Sequence, residues 1–165
     1  MFWGGLSLSN PYTGVIALFL SRIKNQKPPL VFEDGNQLRD FVYVEDVARL
    51  NADALQNQNA LGVYNLGSGR PSSLLDVFKI LKRLQDSSVE PNLLGEFRPG
   101  DNRHDYAENS KLRRAFPNLK FMEIDEGLRK LIDWAKDAQA LDLFEKEEKE
   151  RRKYLSSSSS SSRSS

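Results

Sequence analysis

Two arginines that could bind a diphosphate, together with two aspartates, lie within eight residues of one another around a Pro-Gly turn. Arg98 and Arg103 flank Pro99-Gly100, and Asp101 and Asp105 add carboxylates. A guanidinium group donates two parallel hydrogen bonds, which suits a phosphate ligand. A solvated loop whose charges pair with one another explains the same residues equally well. The segment alone does not decide between these interpretations.

A second candidate anion site lies where an apolar segment meets a helix. Arg39 precedes the run Asp40-Phe41-Val42-Tyr43-Val44, and Asp46 stands where the next helix is expected to begin. An arginine at the mouth of a strand favours an anion at the strand edge. In the alternative interpretation, Asp46 only stabilises the start of the helix and Arg39 is a surface residue.

Leu30 and Phe32 are two residues apart in a short apolar segment, so on a strand they project from the same face. Such a pair could stack on a flat nucleotide base, an interaction worth about 1–3 kcal/mol per base. Packing in the protein core is the more common role of such a pair. Both interpretations remain open at this point.

The pattern Gly67-x-Gly69-x-x-Ser72 follows a predicted strand and opens a predicted helix, the context of a dinucleotide-binding loop. However, serine replaces the third glycine, Pro71 lies inside the turn, and the first strand of a dinucleotide-binding fold should come early in the chain. A tight turn that leads into a capped helix accounts for both glycines. We therefore expect a structural turn here.

Several patterns of catalytic residues are missing from the sequence. It contains no Gly-x-Ser-x-Gly nucleophile elbow, no phosphate loop ending in Gly-Lys-Ser/Thr and no Tyr-x-x-x-Lys pair. His104 is the only histidine and there is no cysteine, so a zinc site is not expected. We predict no catalytic residue, no cofactor-binding residue and no metal site in this chain.

Hydrophobic periodicity and capping residues predict alternating helices and short strands, and therefore an α/β or locally α+β domain rich in helices. Ser73 and Asp76 have the spacing of a helix-capping box. The predicted helices are 10–24, 45–56, 73–84, 109–115 and one that starts at Asp125, and the predicted extended segments are 28–32, 40–44, 63–66 and 89–94.

The composition excludes some classes of protein. The 165 residues carry 24 Lys and Arg against 23 Asp and Glu, a net charge of +1, so no nucleic-acid partner is expected. No apolar run approaches the ~20 residues of a membrane span, and no signal peptide is recognisable. The absence of cysteine suits the cytosol. We expect a soluble, cytoplasmic protein without a membrane partner.

The two ends of the chain differ from the rest. Residues 1–9 form a small, apolar segment without a pattern, and we interpret them as a foreign or truncated start. Residues 145–153 are nine consecutive charges, typical of a solvated helix, and residues 146–155 are assigned to that charged helix end. Nine of the last ten residues, 156–165, are serine, which predicts a disordered tail. Residues 10–145 would then form the domain.

Five motifs in the same order and spacing resemble the C-terminal half of the NAD-dependent nucleotide-sugar epimerase/dehydratase family, which belongs to the extended short-chain dehydrogenases. The resemblance is strongest to its UDP-glucose 4-epimerase-like and dTDP-L-rhamnose 4-epimerase members, and it covers residues 7–145. The motifs are Ser9-Asn10-Pro11-Tyr12-Thr13-Gly14-Val15, Phe32-Glu33-Asp34-Gly35, Arg39-Asp40-Phe41-Val42-Tyr43-Val44-Glu45-Asp46-Val47-Ala48, Tyr64-Asn65-Leu66-Gly67-Ser68-Gly69-Arg70 and Arg98-Pro99-Gly100-Asp101.

The resemblance implies a binding site for a UDP- or dTDP-sugar. It places the nucleotide base against a strand pair, the diphosphate on two arginines, the ribose near an aspartate and the sugar-nucleotide near an asparagine. In this order, these residues are Leu30, Phe32, Arg39, Arg98, Asp101 and Asn10. It also implies that the turn at residues 67–69 is structural, as its sequence suggested.

The family's NAD loop and its Tyr-x-x-x-Lys pair lie in an N-terminal Rossmann half that has no counterpart in this sequence. The resemblance therefore implies NAD in the complete enzyme and none bound to this chain alone, with the missing half as a partner. The segment 40–55 would be a strand-helix unit of the Rossmann domain, and alone it would expose Phe41, Tyr43 and Val47 or repack. A stand-alone nucleotide-sugar-binding module and a non-functional truncation product are the alternatives.

Overall fold

A computed structural model describes Phe2 and residues 14–58, 60–97 and 100–138. In this part of the chain, helices and two small sheets form a mixed α/β arrangement, which confirms the predicted fold class. The elements are α1 (Val15–Lys24), β1 (Leu30–Val31), β2 (Leu38–Arg39), α2 (Val44–Gln56), β3 (Ser72–Ser73), α3 (Leu74–Leu84), β4 (Asn92–Leu93), β5 (His104–Asp105), α4 (Ser110–Ala115) and α5 (Ile124–Ala135).

The main hydrophobic core lies between α1, α3 and α5. The apolar residues of α3 recur every three or four positions, so one face of this helix is buried. Phe19 of α1 meets Phe78 of α3 edge to face, with ring centroids 5.6 Å apart. The fully buried members of this core include Phe19, Leu20, Val77, Phe78, Leu81, Leu128 and Leu131.

The capping box predicted for α3 is confirmed. The amide of Asp76 donates to Oγ of Ser73 at 3.1 Å, and that hydroxyl donates to the Asp76 carboxylate at 2.6 Å. These bonds to Ser73 lower the pKa of Asp76 from its ordinary value, although partial burial opposes them. The first turn of α3 is thereby fixed directly after β3.

The strands form two separate small sheets. Strands β1 and β4 pair in parallel, with Leu30 opposite Asn92. Strand β2 lies between β3, to which it is antiparallel, and β5, to which it is parallel. The segment that leads from β4 to β5 therefore joins the two sheets.

Two predicted strands are wrong. Residues 40–43 are irregular apart from a bridge between Tyr43 and Phe2, and α2 begins at Val44. Residues 63–66 are also irregular, because side chains rather than a neighbouring strand bond to this segment. Lys111 donates to the carbonyl of Val63 at 2.7 Å. A strand forms instead at residues 38–39, just before the predicted strand 40–44, and it pairs with residues 72–73.

Helix ends differ by a few residues from the prediction. Helix α1 begins at Val15. The residue before it, Gly14, has a φ of 101°, a conformation that favours glycine. The predicted cap at Asn10 lies outside the described residues, as does Leu141, which was predicted to be buried after α5. Helix α5 begins at Ile124, one residue before the predicted start.

A second, smaller core lies beside α2 and α4. Its buried members are Val42, Leu50, Leu112 and Phe121. The hydrophobic periodicity of α2 predicts that Leu55 shares a buried face with Leu50, but Leu55 is 90% exposed.

The segment before α2 is covered rather than exposed. Tyr43 is buried against Phe2, with ring centroids 5.4 Å apart, while Phe41 and Val47 are half-buried. Of the three side chains expected to be exposed or repacked, none is fully exposed.

None of the helices in the described residues combines the length and the apolar character that crossing a membrane would require.

Candidate functional site

The arginine predicted to bind a diphosphate lies on β2, and its side chain holds the segment that leads into β5. Nη2 of Arg39 donates to the carbonyl of Asn102 at 2.7 Å, and Nη1 donates to the carbonyl of Arg103 at 2.9 Å. Nη1 also bonds to the carbonyl of Leu38 at 2.8 Å. Three of the five guanidinium hydrogens are engaged by backbone carbonyls, so Arg39, on the middle strand of its sheet, retains donor capacity.

The two residues predicted to contact a base lie on or directly after β1. Val31 is buried in the main core, whereas Leu30 and Phe32 on either side of it are half-buried. This alternation places Leu30 and Phe32 on the face of β1 that is turned away from the main core.

The end of β1 is tied to the segment that follows β4. The amide of Glu33 donates to the carbonyl of Glu96 at 3.0 Å, and the amide of Gly95 donates to the carbonyl of Glu33 at 3.2 Å. Phe32 is therefore one residue from a direct backbone contact with the segment 94–97, which leads to the predicted site residue Arg98.

Asp101, predicted to lie near a ribose, is exposed on the same segment. The next residue along the chain, Asn102, provides the carbonyl that accepts from Arg39. Phe32, Arg39 and Asp101 each lie within one residue of a hydrogen bond between distant segments, since Glu33 bonds to Glu96 and Arg39 bonds to Asn102. Asn10 and Arg98, the other two polar residues of the predicted site, lie outside the described residues.

Arg103 was a candidate phosphate ligand, but its guanidinium group pairs with two carboxylates of the turn after β1. It contacts Glu33 and lies 2.8 Å from Asp34. The bond from Arg103 and the amide of Asn36 hold the pKa of Asp34 well below its ordinary value. The guanidinium of Arg103 is thus engaged in ion pairs, but with carboxylates of another turn rather than within its own charged loop, as the alternative interpretation had it.

His104 lies on β5 and is exposed. Its Nδ1 accepts from the amide of Leu38 at 3.3 Å, so the ring serves the pairing of β5 with β2. Among the described residues, no group of three His, Asp or Glu side chains is arranged to hold a metal ion.

The glycine turn that resembles a dinucleotide-binding loop already holds a carboxylate of this chain. Oδ1 of Asp40 accepts from the amide and the hydroxyl of Ser68, at 3.0 and 2.6 Å, and Oδ2 accepts from the amide of Gly69 at 3.1 Å. Because these donors are engaged, the turn does not fit the pyrophosphate of NAD, in agreement with the structural role predicted from its sequence.

Sequence reasoning missed the residues that support this turn from behind. Asn109 donates to the carbonyl of Gly67 at 2.7 Å and accepts from Arg113 at 3.1 Å. Arg113 also donates to the carbonyl of Ser68 at 2.9 Å. Asn109 was recognised only as a possible helix cap, and no local signal links it to a turn about 40 residues earlier in the chain.

Asp46, the aspartate at the predicted strand-helix junction, has a structural role. Its carboxylate is buried and accepts from the amide of Met122 at 2.7 Å and from Arg49 at 2.6 Å. It therefore connects the segment before α5 to the first turn of α2, and it is not part of an anion site.

Two small sheets, each with a parallel strand pair, combine with helices in this α/β domain, and Arg39 lies on the middle strand of the three-stranded sheet. Comparison with known proteins identifies the family. The family model described as "NAD dependent epimerase/dehydratase family" matches residues 7–67. A dTDP-L-rhamnose 4-epimerase from Burkholderia thailandensis is 36% identical over 142 residues, covering 84% of this chain and 38% of that protein.

Solved structures of epimerases have the same fold as the described chain. A UDP-N-acetylglucosamine 4-epimerase from Methanobrevibacter ruminantium, in complex with UDP-N-acetylmuramic acid, matches with a TM-score of 0.73 and 31% identity. A UDP-glucose 4-epimerase from Thermotoga maritima, with UDP-glucose, matches with a TM-score of 0.71 and 28% identity. Each match covers 81% of this chain and 42% of the other.

The chain belongs to the NAD-dependent epimerase/dehydratase family, as its motifs indicated. It spans about two fifths of the length of the relatives that it matches, with shares of 38% and 42%.

Proposed function

We propose that this chain binds the nucleoside diphosphate part of a UDP- or dTDP-sugar, as the substrate-binding portion of a nucleotide-sugar 4-epimerase or dehydratase. One observation supports this above all: Arg39 donates to the carbonyl of Asn102, next to Asp101, while the amide of Glu33, next to Phe32, donates to the carbonyl of Glu96. An apolar face, a guanidinium group and a carboxylate are what a base, a diphosphate and a ribose require.

Each residue of the proposed site has a stated role. Leu30 and Phe32 pack on the base, Arg39 and Arg98 bind the diphosphate, and Asp101 accepts from the ribose hydroxyls. Asn10 contacts the sugar-nucleotide. The relatives with UDP-N-acetylmuramic acid and UDP-glucose in their structures support a ligand of this class.

We also propose that this chain alone does not complete the chemistry of the family. Hydride transfer to and from a sugar needs NAD and a group that moves a proton. The sequence has no Tyr-x-x-x-Lys pair, and its one Gly-x-Gly turn holds Asp40 instead of a phosphate. In this proposal those steps are supplied by NAD and by an N-terminal Rossmann half, which is the partner of the domain at residues 10–145.

Thermal unfolding of the purified chain with UDP, dTDP, UDP-glucose, dTDP-rhamnose and NAD tests the proposal. A specific ligand at 100 times its Kd adds ~2.7 kcal/mol to the free energy of unfolding, and the Tm rises accordingly. We expect a rise with one of the nucleotide diphosphates and none with NAD.

The variant Arg39→Ala should lose this ligand-induced rise, whereas Arg129→Ala should keep it. Arg129 is a matched control, because it lies on α5 and pairs only with Asp125 among the interactions described. The ligand-induced change in Tm is compared, not the Tm itself, since Arg39 also supports the segment 102–103. No rise in Tm with any nucleotide would contradict the proposed binding. Turnover of a sugar-nucleotide by the chain alone would contradict the proposal that it does not complete the chemistry.

A further inference from the structure

The turn after β1 brings two carboxylates to the border of the proposed diphosphate site. Glu33 and Asp34 follow Phe32 directly, and the side chain of Glu33 is only 17% exposed. Water screens a covered carboxylate less than an exposed one. By themselves these two charges would repel a diphosphate that approaches Arg39.

One residue pairs with both carboxylates, and its backbone contacts Arg39. The guanidinium of Arg103 pairs with Glu33 and with Asp34, the latter at 2.8 Å, while the backbone carbonyl of Arg103 accepts from Arg39 at 2.9 Å. The single positive charge of Arg103 offsets one of the two negative charges, so the acidic pair is only partly compensated. The pair is separated from the guanidinium of Arg39 by roughly one arginine side chain, a distance comparable to the ~10 Å over which charges act at 0.1 M salt.

We propose that Arg103 is a positioning residue of the diphosphate site, which acts by offsetting part of the charge of Glu33 and Asp34 rather than by contacting the ligand. This inference rests on the proposed function. The three side chains together carry a net charge of −1 instead of the −2 of the two carboxylates alone, so a diphosphate at Arg39 is repelled less.

A role of this kind differs from simple cross-linking of the turn to the segment 100–103. An effect of charge depends on the charge of the ligand. Loss of the Arg103 charge should therefore weaken the binding of a diphosphate and leave the binding of an uncharged nucleoside unchanged. A lost cross-link loosens the site for both ligands. The two roles also differ in whether the binding of a diphosphate returns when the carboxylates are removed together with Arg103.

The experiment measures by titration calorimetry the Kd of UDP and of uridine, or of dTDP and thymidine, for the full chain and its variants. For Arg103→Ala we expect the diphosphate Kd to rise about 10-fold at low salt, and less at high salt, with the nucleoside Kd unchanged. The triple variant Glu33→Gln, Asp34→Asn, Arg103→Ala should recover the diphosphate affinity. Arg129→Ala is the control and should bind like the original chain.

Three results would overturn the inference: an unchanged diphosphate Kd in Arg103→Ala, equal losses for both ligands, or no recovery in the triple variant. If Arg103→Ala does not fold, the double variant Glu33→Gln, Asp34→Asn decides. With Arg103 retained it should bind the diphosphate more tightly, and weaker or equal binding contradicts the inference. If the original chain binds neither diphosphate, the proposed function fails, and this inference fails with it.

Discussion

Ser68 donates its backbone amide and its hydroxyl to the same carboxylate oxygen of Asp40, at 3.0 and 2.6 Å. The other oxygen accepts from the amide of Gly69 at 3.1 Å. A turn whose amides converge in this way binds anions in general. In this chain the anion is a side chain that directly follows Arg39, so the turn fixes the end of β2 rather than a cofactor.

The variant Asp40→Asn should therefore destabilise the fold. It removes the charge and presents donors to a turn that itself donates, so we expect a loss of about 1–3 kcal/mol in the free energy of unfolding. Urea denaturation followed by circular dichroism measures this change.

Asp53→Asn is the matched control for this measurement, because Asp53 is exposed on α2. An exposed substitution of this kind should change the free energy of unfolding by no more than about 0.5 kcal/mol. Equal effects of the two variants would show that the turn does not depend on Asp40.

Gly67→Ala should destabilise the same turn through lack of space. A Cβ at Gly67 would lie 2.4 Å from Cβ of Ala107 and 2.5 Å from Oδ2 of Asp40, both too close without movement of the chain. Overpacking of this kind costs about 1–3 kcal/mol. The second substitution Ala107→Gly removes one of these two contacts and should recover part of the loss, as measured by urea denaturation.

Gly95→Ala separates the effect of space from that of backbone conformation. Gly95 has a φ of 67°, and a Cβ added there would meet no described atom within 4 Å, so its substitution is strained by conformation alone. Ala107→Gly should not recover this loss. Recovery in both backgrounds, or in neither, would contradict the steric explanation for Gly67.

The pKa of the Asp34 carboxyl provides a test of the ion pair with Arg103. Because Arg103 and the amide of Asn36 lower this pKa, Asp34 stays ionised at a pH where an ordinary aspartate takes up a proton. The contribution of ionised Asp34 to the stability of the fold is therefore complete above the ordinary pKa, and it is lost only as the pH falls through the lowered pKa. An NMR titration of the side-chain carboxyl should give a midpoint below the ordinary value.

In Arg103→Ala, the midpoint of Asp34 should move back towards the ordinary value, while that of Asp76 should not change. Asp76 is a suitable reference, since its own lowered pKa is caused mainly by Ser73. An unchanged midpoint of Asp34 in this variant would mean that the pair does not form in solution.

The helices could be predicted from the sequence because their signals are local. The repeat of apolar residues in α3 and the Ser73–Asp76 spacing lie within a few turns of one helix, and the structure contains both. The same holds for α2, which ends at Gln56 as predicted. Physical interactions between residues three or four apart decide these elements.

Two of the predicted extended segments, 28–32 and 89–94, contain β1 and β4. The other strands and the partners of the site residues could not be predicted, because they depend on distant parts of the chain. Each strand has only two residues, and its position is set by pairing, as for Leu38 opposite His104. The segment 63–66 has a strand-like sequence but bonds to side chains of later residues. Likewise, Arg39 was recognised as a candidate anion ligand, whereas its contact with Asn102, 63 residues later, follows only from the fold.

Val42 and Tyr43 are consecutive residues, yet the first is buried in the small core beside α2 and the second in the main core between the helices. A single extended peptide therefore holds two separate hydrophobic clusters in place. Local unfolding proceeds in cooperative units of unequal stability. The smaller cluster has fewer buried side chains to lose, so α4 and the end of α2 form the unit that opens first. Amides there should exchange with solvent earlier than those of α1, α3 and α5.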